Sequence, residues 1–145
     1  MKCVFCESPA IKERMPIAQN SLARAFPTNI PVVPGHTLII PTRCVAFFEE
    51  LTQSEINAIF ELGKEIRAAL VKVFGATGFN YAWNEGKTGG QSVPHFHLHV
   101  LPRKEGDSGI TEYDPRKFLY RPGSRAETPE AELQEIAKII RNAMN

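Results

Sequence analysis

From Pro94 to Pro102 the chain reads Pro-His-Phe-His-Leu-His-Val-Leu-Pro, with histidine at 95, 97 and 99 and an apolar residue between each pair. Side chains alternate faces along a strand, so this segment suits a strand with His95, His97 and His99 on one side. Phe96, Leu98 and Val100 then cover a core on the other. The imidazoles would stand roughly 6.5–7 Å apart. The chain holds four histidines in 145 residues. Three of them in strict alternation point to chemistry rather than to a polar strand face that happens to use histidine.

The rest of the sequence reads as one domain spanning residues 1–145. The 17 Lys+Arg and 16 Asp+Glu nearly cancel, which excludes a nucleic-acid binder working by bulk charge. No run approaches the ~18 apolar residues of a membrane span, and no apolar leader follows Met1-Lys2. A cytoplasmic protein is expected. The first forty residues read as short extended pieces, with strands around 16–18 and 22–26, then a buried strand over Thr37-Leu38-Ile39-Ile40. Thr52 and Glu55 form a capping box for a long helix that carries Ile56, Ile59, Phe60, Ile66, Leu70 and Val73 at helical spacing and stops at Gly75. Strands are expected from Phe79 to Trp83 and from Val93 to Leu101, ended by Pro102. Residues 103–126 carry no regular pattern. Thr128 caps a last helix with Pro129 at its first position, running through Leu133, Ile136, Ile139 and Ile140. Phe47-Phe48 and Trp83 read as packing, and Arg103-Lys104 as a solvated pair or an attractor of polyphosphate. The fold class is α+β: a mainly antiparallel sheet of five strands with one long helix and a C-terminal helix.

Cys3, Cys6 and Cys44 are an odd count, which no closed disulfide framework uses up. Cys3-Val4-Phe5-Cys6 lacks the preceding strand that a redox C-x-x-C needs. Two divisions of labour are open. A catalytic metal on the histidine row leaves the cysteines unused. Alternatively His95 joins Cys3, Cys6 and Cys44 in a closed Cys₃His tetrahedron, leaving His97 and His99 without metal. Before the histidines, Asn84 and the Gly89-Gly90 pair lead to Gln91 and Ser92. This loop is either an anion nest beside the histidine face or a plain hairpin turn. Gly35-His36 puts the fourth histidine at a loop–strand junction.

His95 to Leu101 resembles the motif of the histidine-triad family of nucleotide hydrolases and transferases. Pro31-Val32-Val33-Pro34-Gly35-His36-Thr37-Leu38-Ile39-Ile40-Pro41 and Asn84 through Val93 are similar to two further stretches of that family. The resemblance runs from about residue 3 to 103; residues 104–145 form an extension with a loop and a helix. It implies a homodimer and attack by His97 on the α-phosphorus of a nucleotide or dinucleotide, with a covalent nucleotidyl-histidine that passes to water or another acceptor. His99 would hold a phosphate oxygen and His36 would line the phosphate pocket. Asn84, Gly90, Gln91 and Ser92 would orient the phosphate and leaving group. Dinucleoside polyphosphates and adenosine phosphoramidates are the implied substrates. A nucleotidyltransferase and a non-catalytic nucleotide-binding module are the alternatives.

One neutral nitrogen of His97 must carry the lone pair, so its other nitrogen should donate to a fixed acceptor, for which a backbone carbonyl is expected. No catalytic metal is required. Some members bind zinc through a C-x-x-C pair, a histidine after the Gly-His strand and the first triad histidine. Here that third position is Cys44, and the resemblance implies one structural zinc per chain on Cys3, Cys6, Cys44 and His95. A buried, inert Cys44 is the plainer alternative. The ribose position, often Asp or Asn in the family, is Thr28, with Asn29 beside it.

Overall fold

The computed structural model describes residues 3–107 and 127–144. Five strands, β1 (Ala18–Gln19), β2 (Ala23–Pro27), β3 (Thr37–Pro41), β4 (Gly78–Ala82) and β5 (Leu98–Arg103), form one sheet in the order β1-β2-β3-β5-β4. Every neighbouring pair is antiparallel. The α+β class expected from the sequence is the one observed.

The 22-residue helix α2 (Gln53–Phe74) lies on one face. Thr52 accepts from the Glu55 amide at 3.1 Å, while the Glu55 carboxylate accepts from the Thr52 amide at 2.9 Å. Gly75 closes the helix at φ +66°, a conformation glycine adopts without penalty. Ile59, Leu62, Ile66 and Leu70 pack against Ile39, Leu98 and Val100. Phe60, expected in this core, is exposed (51%), as is Phe48 (50%).

β3 is buried along its whole length, which explains its unbroken apolar run: Ile39 faces α2, whereas Leu38 and Ile40 face a second cluster with Phe5, Ile11, Met15, Phe26 and Leu133. That second layer corrects the expectation of an extended N-terminus. Val4–Glu7 is one helical turn, α1, and Ala10–Arg14 a π-helical turn. Both are shorter than any periodicity can reveal, and tertiary packing holds them.

The final helix, α3 (Glu130–Asn142), starts one residue later than expected. Pro129, not Thr128, is its N-cap, because the Thr128 amide is drawn to the Asn29 carbonyl (2.7 Å). Leu133, Ala137 and Ile140 are buried, while Ile139 is exposed. Residues 108–126, expected to lack regular structure, lie outside the described residues. No helix among the described residues is long and apolar enough to cross a membrane.

Candidate active site and metal centre

β5 begins at Leu98, not at Val93. Extending its register with β3 from Leu98↔Ile39 would set Phe96 opposite Pro41, which has no N–H to give. The Phe96 amide donates to the Val45 carbonyl instead (2.6 Å). His95 and His97 therefore sit in an irregular lead-in, and only His99 is within the strand. The alternation survives this shift: Phe96, Leu98 and Val100 pack on the α2 side, and His99 pairs with Leu38, which faces the other side. At the far end the strand passes through Pro102 to Arg103. The Thr77 amide bonds the Arg103 carbonyl, so Pro102's missing donor faces the other way, beyond the end of β3.

Hydrogen bonds assign the histidine tautomers. A carbonyl can only accept. His97 Nδ1 therefore donates to the His95 carbonyl (2.7 Å), which puts the lone pair of the neutral ring on Nε2. The backbone acceptor expected from the sequence is there. His36 Nδ1 accepts from the Val32 amide (3.0 Å), so Nε2 carries the proton of the neutral ring and donates to His99 Nδ1 (2.9 Å). His99 in turn holds its proton on Nε2. His97 and His99 stand with ring centroids 5.0 Å apart. Gly35 makes the turn that aims His36, at φ +89°, and a Cβ there would come within 2.9 Å of Phe74 ring carbons.

All four histidines are buried, His97 retaining 5% of its exposure. Phe5 covers this side, with its ring centroid 5.2 Å from that of His97 at 87° and 5.8 Å from that of His95. Phe5 also walls a cavity of about 450 Å³ together with Phe26, Leu38, Ser92, Thr128 and Leu133. Thr28 and Asn29 line the same cavity. Thr28 is buried, and its hydroxyl accepts from the Ile30 amide (3.3 Å). The Asn29 carbonyl is the one that holds Thr128. Arg14 pairs with Glu130, fixing α3 over this cavity.

The loop residues divide. Ser92 is exposed at the cavity. The Gln91 amide braces its own loop, accepting from Gly86 N (2.9 Å) and donating to the Ala46 carbonyl (2.9 Å). Asn84 leans on the Gly90 carbonyl at 3.5 Å. Trp83 packs on Phe48 and Phe96. Arg103 donates to Asp107 and Asn80 (2.7–3.0 Å), so it is held against the protein and is not a freely solvated side chain.

Cys3, Cys6, Cys44 and His95 converge, their ligand atoms all within 4.8 Å of one another, and Cys44 is exposed, not the buried small residue of the plainer alternative. Zinc–thiolate and zinc–imidazole bonds give a tetrahedron with edges of roughly 3.5–3.8 Å. Cys3 and Cys6 Sγ lie 3.3 and 3.5 Å from His95 Nδ1. His95 Nε2 donates to the Pro41 carbonyl (2.7 Å), so the lone pair on Nδ1 is aimed at the sulfurs. Burial, then contact with the Cys3 thiol, pushes Cys44 up to about 12, and Cys6 is raised by the same causes. Burial lowers His95. Without a cation these thiols stay protonated and the imidazole neutral. The four residues could hold a metal ion, and the donor set is the soft one that zinc favours.

Three contributors escape the sequence pattern: the Val32 amide, the Pro41 carbonyl and the α3 wall of the cavity. Phe5 had a signal, its place inside the C-x-x-C.

The fold and site together define an α+β domain: a five-stranded antiparallel sheet carrying a row of alternating histidines, with Phe5 between that row and a cavity. The HIT domain family matches residues 12–106, and the chain belongs to that family. The chain is 38% identical over 109 residues to an uncharacterized HIT-like protein of Mycoplasma genitalium, covering 74% of this chain and 77% of that one. It is 38% identical over 89 residues to the bis(5'-nucleosyl)-tetraphosphatase [asymmetrical] of Schizosaccharomyces pombe, covering 61% of this chain. The match spans about half (49%) of that enzyme's length. A zinc-bound histidine triad family protein from Mycobacterium smegmatis superposes with a TM-score of 0.74 at 26% identity, covering 99% and 94% of the two chains.

Proposed function

We propose that this chain hydrolyses a nucleoside phosphoanhydride or phosphoramidate through a covalent nucleotidyl intermediate on His97. The observation that carries the reading is the His97 Nδ1–H bond to the His95 carbonyl, which leaves the nucleophilic lone pair on Nε2. The name of the yeast relative, a tetraphosphatase of dinucleosides, supports the substrate class.

In the first step Nε2 attacks the α-phosphorus. A P–N bond forms, the bond from phosphorus to the leaving group breaks, and the leaving group departs with the electron pair. In the second step water attacks the same phosphorus, the P–N bond breaks, and its electron pair returns to His97. Two displacements replace one hard direct hydrolysis. His99, its proton on Nε2 by way of His36, donates to a non-bridging oxygen, where charge stabilisation counts most. Ser92 orients the phosphate at the cavity mouth, with Asn84, Gly90 and Gln91 shaping that loop. The cavity takes the nucleoside, with Thr28 and Asn29 at the sugar.

One structural zinc per chain on Cys3, Cys6, Cys44 and His95 is part of this reading, and the chemistry it supplies when bound is cross-linking of α1 to the sheet. Elemental analysis should find about one zinc per chain, lost in Cys44→Ala. The reading includes a single domain over 1–145, a cytoplasmic location and a homodimer formed along the outer edge of β4. Tyr81 and Trp83 beside Phe48 leave exposed aromatic surface along that edge. Light scattering should give twice the chain mass, and Tyr81→Lys should shift it to the monomer.

A panel of mononucleotides, dinucleoside polyphosphates and adenosine phosphoramidates in oxygen-18 water, read by mass spectrometry, tests the reaction. Heavy oxygen in the nucleoside monophosphate supports hydrolysis. A nucleotidylated second product supports transfer instead, and binding without turnover reduces the protein to a binding module.

A further inference from the structure

Arg24 lies on β2 between Ala23 and Ala25, both wholly buried on the α2 side. Its own side chain therefore projects from the other face, the one that carries Phe26 and Ile40. The β2–β3 register sets Arg24 opposite Ile40, one residue before the Pro41 carbonyl that holds His95. The Arg24 Nε is buried and has no hydrogen-bond partner among the described residues. A guanidinium N–H left in that state costs more than most proteins tolerate, and such an orphan calls for an explanation. On that face Phe26 packs against Phe5 (ring centroids 5.3 Å), which stands between Cys3 and Cys6.

We propose that Arg24 is the counter-charge of the Cys3–Cys6–Cys44–His95 metal site. The proposal rests on the metal reading above. Charge counting explains why the site needs it. A dication with two thiolates and two imidazoles is neutral. With three thiolates and one imidazole it carries one net negative charge. Cys44 creates that charge, and a fixed guanidinium offsets it without adding a ligand. Arginine suits this role because it stays protonated and sheds water more readily than lysine. Position 24 and position 44 are thus coupled through the ion, although they sit on different segments.

The test is zinc affinity of the full chain, measured by competition with a chromophoric chelator, in a double-mutant cycle. Arg24→Met should weaken zinc binding by on the order of 10-fold or more, the range seen when groups that support metal ligands are removed. Arg24→Lys should retain most of the affinity. In a Cys44→His background, where the site is neutral, Arg24→Met should change affinity by less than about threefold, since the charge it would offset is gone. Melting of the chelated proteins checks that each folds. If Arg24→Met does not, Arg24→Gln carries the same comparison. Equal affinity with and without Arg24, or the same loss in both backgrounds, would overturn the proposal while leaving the metal site standing. A wild-type chain that takes up no zinc would overturn both.

Discussion

The carbonyl of His95 accepts the Nδ1–H of His97 at 2.7 Å, while the ring of the same His95 faces three cysteine sulfurs. One residue thus fixes the tautomer of the proposed nucleophile with its backbone and joins the cysteine cluster with its side chain.

The first expectation concerns His97 itself. His97→Ala should lower turnover by about 10³-fold or more, as loss of a covalent nucleophile does, with nucleotide affinity little changed. Mass spectrometry of base-quenched wild-type protein should find a nucleotidyl adduct on this ring, absent from the variant. Turnover surviving at wild-type level would remove the covalent route.

His36 is a positioning residue. It donates its Nε2–H to His99 Nδ1 while accepting from the Val32 amide, so its loss removes the bond that sets which His99 nitrogen carries the proton. His36→Ala should reduce kcat by roughly 10- to 100-fold, in line with the cost of small misplacements at a reacting centre, and KM much less. A pure loss of affinity with unchanged kcat would contradict the relay. His36→Gln, which keeps a donor at that reach, should recover part of the rate.

How much of this was legible in the sequence depends on the range of the determining contact. The long helix was readable because its capping box, apolar stripe and Gly75 stop are all local. The histidine row was readable from alternation alone. Its true start was not, because the Phe96 amide bonds Val45, about fifty residues away in sequence, and not β3. Chain-distant neighbours also hid α1, whose four residues are ordered by Phe26 and the histidines. Thr128 was read as a cap because its partner, the Asn29 carbonyl, lies a hundred residues upstream. Gln91 reads as a phosphate ligand by position, yet its amide is engaged at both ends by backbone. Resemblance could name these residues. Only the fold shows which atoms remain for a substrate.

Metal removal should expose a pH dependence at the alkaline end. In the metal-free chain Cys44 is raised to about 12 from an ordinary value of 9.0. A thiol harder to ionise when folded contributes stability below its unfolded pKa and loses it as pH climbs toward the folded one. Chelated protein should therefore lose melting temperature progressively above pH 9, whereas metal-loaded protein, with its thiolates already formed, should not. Parallel curves for the two would contradict the cluster as a metal site.

Glu55 gives the opposite sign. Its buried carboxylate accepts from Arg43 Nη2 and Nε (2.8 and 3.1 Å) and from the Thr52 amide, and the Arg43 guanidinium holds it below the usual 4.5. Its contribution is complete above about 4.5 and disappears as pH falls through the lower folded value. Glu55→Gln should cost about 1 kcal/mol at pH 7, the worth of a helix cap. That gap should close in urea titrations carried down through pH 4 and below. A gap independent of pH would mean that shape, not charge, is what Glu55 supplies.

Phe5 stands between Cys3 and Cys6 and presents its ring to His97, so an ion held by the cysteine cluster would bear on the proposed nucleophile through one side chain. Phe5→Ala should destabilise the chain by about 3 kcal/mol, as emptying a buried aromatic site does. Phe5→Leu keeps most of the volume and should cost nearer 1 kcal/mol. The informative comparison is kcat. If the aromatic contact orients the His97 ring, Phe5→Leu should still lose several-fold in adduct formation at a temperature where it is fully folded, and Phe5→Tyr should recover that loss. If Phe5 only fills space, the leucine variant should form the adduct at the wild-type rate, and the metal centre would then be mechanically independent of the chemistry.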